Sequence, residues 1–331
     1  MKKTAIITGI TGQDGAYLAE LLLKKDYRVI GLTRGDPDTR IRNLEYLKIK
    51  DKVEIMECDL LDITRIIHIL QLVKPDEIYN LAAQSSVGYS FSQPIGTIHF
   101  NIISVVNLLE SIRLIKSDTR FYQASSSEMY GKVKKLPVTI DTAMHPLSPY
   151  AISKASAHWI VVNYRESYNL YACNGVLFNH ESYLRHPSFF IKKIISESIQ
   201  HMSDPDWILN VGNIEVSRDF GYSPKYVEAM WLMLGRKEAK DFLICSGKSY
   251  LLKDIIHFIF SELDIDIKKI KISSDLYRPT EILDIYGDNS KLNDLVGWDY
   301  NVDFFDILKI LISEEKKNSV NIETPPNANS I

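Results

Sequence analysis

A phenol and an ammonium group at helical spacing are the first candidates for chemistry. In Tyr150-Ala-Ile-Ser-Lys154 the two side chains are four residues apart, so a helix would place them on one face. A nearby ammonium group lowers the pKa of a tyrosine, which lets the phenol take a proton from a hydroxyl group at neutral pH. Many helices carry this spacing by chance, but its position behind Pro146 and Pro149 and beyond an apolar strand favours a catalytic role.

A serine-rich turn follows that strand and ends in a carboxylate. In Ala124-Ser-Ser126-Ser-Glu128, the hydroxyl of Ser126 could hydrogen-bond a substrate oxygen, with the Glu128 carboxylate beside it. The alternatives are a helix cap or polar turn for the serines and a solvated surface charge for Glu128. We expect Ser126, Glu128, Tyr150 and Lys154 to form one catalytic group.

Three glycines lie at the start of the chain, between an apolar run and a helical pattern. In Thr8-Gly9-Ile-Thr11-Gly12-Gln13-Asp14-Gly15, the first glycine permits a tight turn, the second lets the backbone approach a diphosphate, and the third lets the helix pack on the strand. A tight turn that binds nothing is the alternative. The strand, turn and helix order favours a dinucleotide loop.

The ends of the next two predicted strands bear on the choice of cofactor. The second strand ends in Leu32-Thr33-Arg34, and a guanidinium group there suits the 2′-phosphate of NADP. Asp36 keeps NAD open. Asp59 and Leu60 follow the third strand and could contact the adenine, although an aspartate at a strand end also acts as a cap.

Alternating strands and helices must position these residues. Strands are predicted at Thr4–Thr8, Arg28–Leu32, Val53–Glu57, Glu77–Ala82 and Phe121–Ser125. Helices are predicted at Tyr17–Lys24, Arg65–Leu72, Phe100–Leu114 and Tyr150–Tyr168. This alternation predicts an α/β fold with a doubly wound parallel sheet of the Rossmann type, whose ligands bind at the carboxyl ends of the strands.

Composition excludes several classes of protein. With 331 residues, 45% hydrophobic and 24% charged, the chain has an ordinary globular composition, and its net charge of −3 argues against nucleic acid as a partner. No apolar run approaches 18 residues, so we expect no membrane partner, and the start of the chain is typical of a strand rather than a signal peptide. Three scattered cysteines favour a reducing, cytoplasmic location and no metal site.

The C-terminal half lacks the regular alternation and is predicted to interleave with the first half. We expect a nucleotide-binding domain over residues 1–178 with parts of 212–247, and a smaller substrate domain over 179–211 and 248–315. The polar, proline-containing tail at 316–331 is predicted to be disordered.

Longer motifs identify a family resemblance over almost the whole chain. The sequence resembles the GDP-mannose 4,6-dehydratase family of extended short-chain dehydrogenases/reductases. The motifs that carry it are Thr8 to Gly15, Arg120-Phe-Tyr-Gln-Ala-Ser-Ser-Ser-Glu-Met-Tyr-Gly131, Val162-Asn-Tyr-Arg-Glu-Ser-Tyr168, Leu177-Phe-Asn-His-Glu-Ser182, Arg218-Asp-Phe-Gly221, Tyr226-Val-Glu-Ala-Met-Trp231 and Arg278-Pro-Thr-Glu281.

The resemblance implies a redox-neutral elimination that uses NADP. Tyr150, assisted by Lys154 and Ser126, would take the proton of the C4 hydroxyl while a hydride passes to NADP. Glu128 would remove the C5 proton and help the C6 hydroxyl leave, and the returning hydride would give a 4-keto-6-deoxy sugar. Relatives that act on glucose nucleotides carry Asp-Glu where this chain has Ser127-Glu128, which favours a mannose-type GDP-sugar.

The resemblance also implies which residues bind the cofactor and the substrate. For the cofactor they are Gly9, Thr11, Gly12, Gln13, Asp14, Gly15, Arg34, Asp59, Leu60, Leu81, Ala82, Ala83, Tyr150, Lys154, His180 and Arg185. For the substrate they are Ser85, Asn179, Lys193, Arg218, Arg278 and Glu281. The two substrate arginines would pair with the diphosphate, and a surface ion pair is the alternative for each.

The chain departs from the family pattern in one loop and one pocket motif. Tyr183-Leu184-Arg185-His186-Pro187 replaces a Pro-Arg-Arg-Gly-Glu loop that contacts a neighbouring subunit in the family, and Phe220 and Tyr222 replace Trp and His. We therefore interpret the substrate as GDP-mannose or a longer relative, GDP-D-glycero-D-manno-heptose. The resemblance implies a homodimer built from the helices at 100–114 and 150–168, or a homotetramer, for which the altered loop is a departure.

Two other functions fit parts of the pattern. A nucleotide-sugar epimerase or 4-keto reductase would need the tyrosine but not Glu128. A non-catalytic NADP-binding protein would need neither, and the presence of all four catalytic residues argues against it.

Overall fold

The structure, a computed structural model, describes residues 2–35, 41–116 and 118–320. Its strands are β1 Thr4–Thr8, β2 Arg28–Thr33, β3 Glu54–Glu57, β4 Glu77–Asn80, β5 Arg120–Ser126, β6 Ala172–Leu177, β7 Asn179–Glu181, β8 Leu209–Val211, β9 Ser217–Tyr222, β10 Phe242–Ile244, β11 Ser249–Leu251, β12 Ile270–Ile272 and β13 Asp284–Ile285. Its helices are α1 Gln13–Lys24, α2 Arg42–Tyr46, α3 Ile63–Val73, α4 Val87–Ser92, α5 Pro94–Ile115, α6 Pro149–Tyr168, α7 Phe190–His201, α8 Ser223–Leu234, α9 Leu252–Glu262, α10 Ser290–Val296 and α11 Phe304–Val320.

Seven parallel strands form the central sheet in the order β10-β6-β5-β4-β1-β2-β3. The chain winds outward from β1 through β2 to β3, and from β4 through β5 to β6, so the winding direction changes between β1 and β4. Helices cover both faces, which explains why Ala5, Ile6 and Ile7 are all fully buried. The predicted α/β doubly wound sheet is confirmed, and its switch point lies at the ends of β1 and β4.

A smaller unit is built around a second set of strands. β7, β9, β11 and β13 form one sheet, and β8 pairs with β12. Helices α7, α9 and α11 pack around these strands through apolar residues that include Ile194, Ile256 and Leu308. Since β10 returns to the central sheet after β9, the two units interleave along the chain.

The last helix changes one prediction. α11 runs from Phe304 to Val320, so the prediction of disorder for 316–320 is wrong. Ile307, Leu308 and Leu311 anchor the helix in the core of the smaller unit, and these long-range contacts carry it past the polar residues that follow. The rest of the predicted tail, 321–331, lies outside the described residues.

α5 is the one helix among the described residues whose length and mean hydropathy would suit a membrane span. It packs against α3 and α6 over the sheet, and Val105, Leu108, Leu109 and Ile112 are buried there. Its apolar character is therefore that of a core helix.

Gly15 sets how closely α1 approaches β1, and its replacement should destabilise the fold. A Cβ added there would lie 2.6 Å from the Cα of Ile10 and also against the carbonyl of Gly9. We expect Gly15→Ala to lower the free energy of unfolding by about 1–3 kcal/mol, the usual cost of overpacking. Urea unfolding without nucleotide measures the change.

Gly88→Ala is the matched control. Gly88 lies in α4, and an added Cβ meets nothing within 4 Å. We expect this variant to be as stable as the parent chain or more stable by up to about 1 kcal/mol. Equal losses in the two variants would contradict the packing argument.

Candidate active site

A cleft of about 640 Å³ opens at the switch point of the sheet. The predicted residues that line it are Gly9, Thr11, Gly12, Gln13, Asp14, Gly15, Arg34, Asp59, Leu60, Leu81, Ala82, Ala83, Ser85 and Arg185. The structure thus brings together on one surface residues that are up to 176 positions apart in the sequence (185 − 9).

The glycine loop leaves backbone groups free at the start of α1. Gly9 has a φ of +68°, and a Cβ there would lie 2.9 Å from the backbone nitrogen of Ala82. Gly12 is the N-cap of α1 and supplies no side-chain oxygen to the first-turn N–H groups. The loop therefore presents N–H donors and the positive end of a 12-residue helix to the cleft, which fits the diphosphate of a dinucleotide.

Buried hydrogen bonds hold this loop from behind. Nε2 of His180 donates to both Asp14 carboxylate oxygens at 2.9 and 2.8 Å, and the Ser223 hydroxyl donates to Asp14 at 2.8 Å. The Ser182 hydroxyl donates to the Gln13 side chain at 2.8 Å. Burial by itself would raise the pKa of Asp14, but the charge and hydrogen bond of His180 hold it well below its ordinary value.

His180 is a predicted cofactor residue that the structure places behind the loop. Its Nδ1 donates to the carbonyl of Phe178 at 2.7 Å, and its ring stacks on Tyr226 with centroids 4.7 Å apart. Both ring nitrogens face acceptors. On the side of the cleft, the His180 side chain contacts the glycine loop through Asp14.

The end of β2 and the turn after β3 form the far wall of the cleft. Arg34 is exposed there, and the neighbouring Thr33 has a buried hydroxyl oxygen without a hydrogen-bond partner. Asp59 lines the cleft while its carboxylate accepts from the Leu61 backbone N–H at 3.0 Å, so the predicted cap is also present. Asp36 lies outside the described residues.

The first turn of α6 places the candidate proton-transfer residues. Ser148 caps the helix by accepting from the Ala151 N–H, and Pro149 occupies the first helical position, where its missing N–H costs nothing. Tyr150 is buried and lies beside Ser126, at the end of β5. Glu128 is half-buried in the short 3-10 turn Ser127–Met129.

The electrostatics of Tyr150 and Lys154 differ from the sequence prediction. Burial raises the pKa of Tyr150 to about 12, and the hydrogen bond from Ser126 only partly offsets it. Lys154 donates instead to the carbonyl of Ala124 at 2.8 Å, and burial lowers the pKa of its ammonium to about 8. Desolvation is the largest influence on the pKa of Tyr150, and Lys154 is not among its main causes in this structure, so the lowering of that pKa by Lys154 stays a prediction.

Three predicted substrate residues form one charged group next to Glu128. Arg218 is buried on β9 and donates to Glu281 at 2.8 Å, and Arg278 lies 3.8 Å from the same carboxylate oxygen. Burial lowers the pKa of Arg218 against the raising effects of Glu128 and Glu281. These residues come from distant segments, and Arg218 is close enough to Glu128 for the two charges to influence each other.

The other predicted substrate residues are more dispersed. Asn179 is half-buried at the start of β7, and Ser85 is exposed on the wall of the cleft. Lys193 lies on α7, where it donates to the carbonyl of Asn210 and pairs with Glu197.

The altered loop approaches the cleft of its own chain. The Arg185 guanidinium lies 3.7 Å from the Phe189 ring centroid and 3.6 Å from the buried carboxylate of Glu181. Tyr183 packs on Tyr46. Arg185, a predicted cofactor residue, lines the cleft, and so do His186 and Phe189, which were not predicted.

Sequence reasoning missed part of the cleft wall. The additional lining residues are Leu32, Thr33, Cys58, Gln84, Tyr89, Gln93, Gly96, Thr97, Phe100, His186 and Phe189. The only signal for the first three was their position at strand ends. Those from α4 and α5 carry no motif, and α5 begins at Pro94 rather than at the predicted Phe100 because a proline suits the first turn.

In the part of the chain that the structure describes, no cluster of three His, Cys, Asp or Glu residues could hold a metal.

Comparison with known proteins decides the family. Residues 6–311 match the family model described as GDP-mannose 4,6 dehydratase. The chain belongs to the GDP-mannose 4,6-dehydratase family. Among curated members it is 38% identical to the GDP-mannose 4,6 dehydratase of Dictyostelium discoideum, covering 95% of this chain and 96% of that protein. It is 39% identical to GDP-mannose 4,6 dehydratase 1 of Arabidopsis thaliana, covering 95% and 90%.

Solved structures share the extended fold of this dehydratase family member at lower identity. A dTDP-glucose 4,6-dehydratase from Bacillus anthracis in complex with NAD aligns with a TM-score of 0.85 at 19% identity, covering 96% of this chain and 98% of that one. RMD from Pseudomonas aeruginosa complexed with NADPH aligns with a TM-score of 0.78 at 24% identity, covering 96% and 99%. At these identities the likeness concerns the fold.

We expect the buried Lys154 to lower the free energy of unfolding of the nucleotide-free protein, by an amount that depends on pH. Its folded pKa of about 8 lies below the ordinary 10.5, so between these values the unfolded chain binds the proton and the folded chain releases it. The free energy of unfolding therefore rises with pH across this window. We expect Lys154→Met to be more stable than the parent at pH 7, by on the order of 2 kcal/mol, and this advantage to shrink above pH 8.

Urea unfolding at neutral and alkaline pH checks this expectation. Lys193→Met, which removes a half-exposed lysine, is the control, and its difference from the parent should not change over the same range. A Lys154→Met difference that is equal at both pH values would contradict the buried-ammonium argument.

Proposed function

We propose that this chain is a GDP-sugar 4,6-dehydratase that converts GDP-mannose, or GDP-D-glycero-D-manno-heptose, to the 4-keto-6-deoxy product with loss of water. The observation that carries the proposal is the match to the dehydratase family over residues 6–311, and it is supported by the electrostatic influence of Glu128 on both Tyr150 and Arg218. The curated relatives at 38% and 39% identity carry that name.

Each catalytic side chain has a role that its surroundings support. NADP, when bound, supplies the oxidation at C4 and the reduction at C6. Tyr150 accepts the proton of the C4 hydroxyl, and Ser126, which lies beside the phenol, orients that proton transfer. A phenol with a pKa near 12 is a weak base, so the positive charge of the bound nicotinamide and of Lys154 has to favour the phenolate when the site is filled.

Glu128 distinguishes a dehydratase from the epimerase and reductase alternatives. Elimination needs a group that takes the C5 proton and then assists the departing C6 hydroxyl. Glu128 is half-buried beside Tyr150 and Arg218, so its carboxylate belongs to the site rather than to the solvated surface. Epimerization has no use for an acid/base at this position.

Arg218, Arg278 and Glu281 are proposed to hold the nucleotide diphosphate and the nucleoside. Without a ligand, Arg218 pairs with Glu281 and with the carbonyl of Ile282. A diphosphate offers bidentate acceptors to the same guanidinium groups, which would free Glu281 to hydrogen-bond the ribose or base.

The first experiment is mass spectrometry of the purified chain incubated with each GDP-sugar. We expect loss of one water from GDP-mannose or from GDP-manno-heptose, with no net reduction of NADP. A tenfold or greater preference in kcat/KM for mannose, about 1.4 kcal/mol, would reject the heptose as the main substrate. No water loss from either sugar would overturn the proposed function.

A Glu128→Gln variant tests the elimination step separately. It should retain partial C4 oxidation, seen as near-ultraviolet absorbance of reduced nicotinamide, while water loss falls at least about a hundredfold, as for loss of a general acid/base. Glu197→Gln, on the exposed face of α7, is the control and should behave as the parent. Water loss that survives in Glu128→Gln would contradict the assigned role.

We propose NADP rather than NAD as the cofactor. Arg34 is exposed on the far wall of the cleft, where it can pair with a 2′-phosphate, and the buried hydroxyl of Thr33 beside it lacks a partner. The solved structures of this fold include complexes with NAD and with NADPH, so the fold accommodates both.

Replacing Arg34 should separate the two cofactors. We expect Arg34→Ala to weaken NADP binding about 10- to 100-fold, the value of a hydrogen-bonded charge pair, and to leave NAD binding nearly unchanged. Calorimetric titration with both nucleotides measures it, with Lys24→Ala at the far end of α1 as the control. Equal weakening for NAD would show that Arg34 does not read the phosphate.

We propose a homodimer formed through α5 and α6. Both helices expose large apolar side chains, including Ile95, Ile103, Ile152 and Trp159, the last of which is 60% exposed. Such apolar surface marks an interface. Arg185 lines the cleft of its own chain, so the loop that departs from the family pattern supports a dimer rather than a tetramer.

Sedimentation should show this dimer and its loss in one variant. We expect Trp159→Glu to give a monomer, because a charge would be buried without a partner. Leu72→Glu on α3 also replaces an exposed apolar residue, which is 74% exposed, and should leave the dimer intact. A dimeric Trp159→Glu protein would contradict the interface.

We also propose a cytoplasmic location, which the three buried free cysteines support.

A further inference from the structure

Three residues of α6 form a stripe that contacts the last three residues of β5. Tyr150, Lys154 and His158 are four residues apart and share one face of the helix. Tyr150 lies beside Ser126, and Lys154 donates to the carbonyl of Ala124 at 2.8 Å. The third contact joins Nδ1 of His158 to the hydroxyl of Ser125 at 3.3 Å. The first two contacts belong to the catalytic group, and the third has no role in the reaction proposed above.

On its other side, His158 faces the ion pair between Arg165 and Asp241. Its Nε2 lies 3.9 Å from an Asp241 oxygen, and Arg165 binds the same carboxylate in a bidentate arrangement at 2.8 and 2.9 Å. The Asn174 backbone N–H also donates to Asp241. The network favours the tautomer with the proton on Nε2, facing the carboxylate, which leaves Nδ1 to accept from Ser125.

A histidine at this position is more than core filling. Its side chain is 5% exposed, and its helix neighbours Ala157 and Val161 are apolar core residues. Burial of the imidazole lowers the pKa of His158, which Asp241 raises and Arg165 lowers, so the neutral ring is the favoured form at neutral pH. A buried polar group of this kind fixes the geometry of its partners in a way that an apolar side chain does not.

We propose that His158 is a positioning residue for the dehydration reaction: it holds Ser125, and through it the adjoining Ser126–Glu128 segment, in register with Tyr150 and Lys154. The inference rests on the proposed function. Without His158, the Ser125 hydroxyl keeps only its contact to the Met129 sulfur, and the turn that carries Glu128 can shift relative to the phenol. Small displacements of reacting groups lower the rate of the chemical step more than they affect binding.

The kinetic test uses His158→Leu, Ser125→Ala, the double variant and His158→Asn. We expect kcat to fall about three- to tenfold in each of the first two, the value of one hydrogen bond, with KM and NADP affinity nearly unchanged. The double variant should lose no more than either single variant, because both remove the same contact. His158→Asn places an amide oxygen near the position of Nδ1 and should restore most of the rate.

Ser104→Ala is the matched control, since Ser104 is a buried serine on α5 whose hydroxyl has no hydrogen-bond partner. It should keep the parent kcat. Three outcomes would each overturn the inference. They are losses of kcat that multiply in the double variant, an unchanged kcat, and a rise in KM that accompanies a weaker NADP affinity and a lower thermal midpoint.

A second measurement is independent of activity and of the substrate. In protein with ¹⁵N-labelled histidine, the Nδ1 resonance of His158 should be that of an unprotonated acceptor and should shift in Ser125→Ala but not in Ser104→Ala. An unshifted resonance overturns the inference even if the dehydratase assay succeeds. Failure of the parent chain to dehydrate either GDP-sugar, with this shift present, would instead locate the error in the proposed function.

Discussion

The interaction on which the site depends most is the buried bond between Asp14 and His180. Asp14 belongs to the glycine loop of the central sheet, whereas His180 lies on β7, the first strand of the smaller unit. A carboxylate buried without partners would be costly, but His180 and Ser223 satisfy it and keep it ionized. The same contact therefore orders the dinucleotide loop and fixes where the smaller unit begins relative to it.

The contact between Asp14 and His180 also bears on the position of Arg218. β9, which carries Arg218, pairs in parallel with β7, so the position of β7 determines the position of the arginine. Arg218 has its guanidinium on Glu281 and on a backbone carbonyl, and its charge reaches Glu128. The position of Arg218, a predicted substrate residue, thus depends on strand pairing that starts next to the glycine loop.

Burial disfavours the charged forms of Tyr150 and Lys154, the predicted proton-transfer residues. The pKa of Tyr150 is raised to about 12 and that of Lys154 is lowered to about 8, both chiefly by desolvation. Each shift opposes the charge that the residue needs in proton transfer. α6 and β5 therefore fix the positions of the two side chains but not their reactive charge states. The charges of a bound nicotinamide and substrate have to favour those charge states.

Residue spacing alone predicted the first strands and helices of the central sheet and the local motifs, because these depend on short-range patterns. The alternation of strands and helices, the glycine turn at Gly9 and the pairing of Tyr150 with Lys154 on one helix face all follow from short-range patterns. Only the tertiary structure decided that His180 bonds Asp14, that Arg185 lines the cleft of its own chain and that α11 reaches Val320. It also decided the sign of the Tyr150 pKa shift. Each of these outcomes depends on which distant segments exclude water from a side chain, and spacing along the chain does not contain that information.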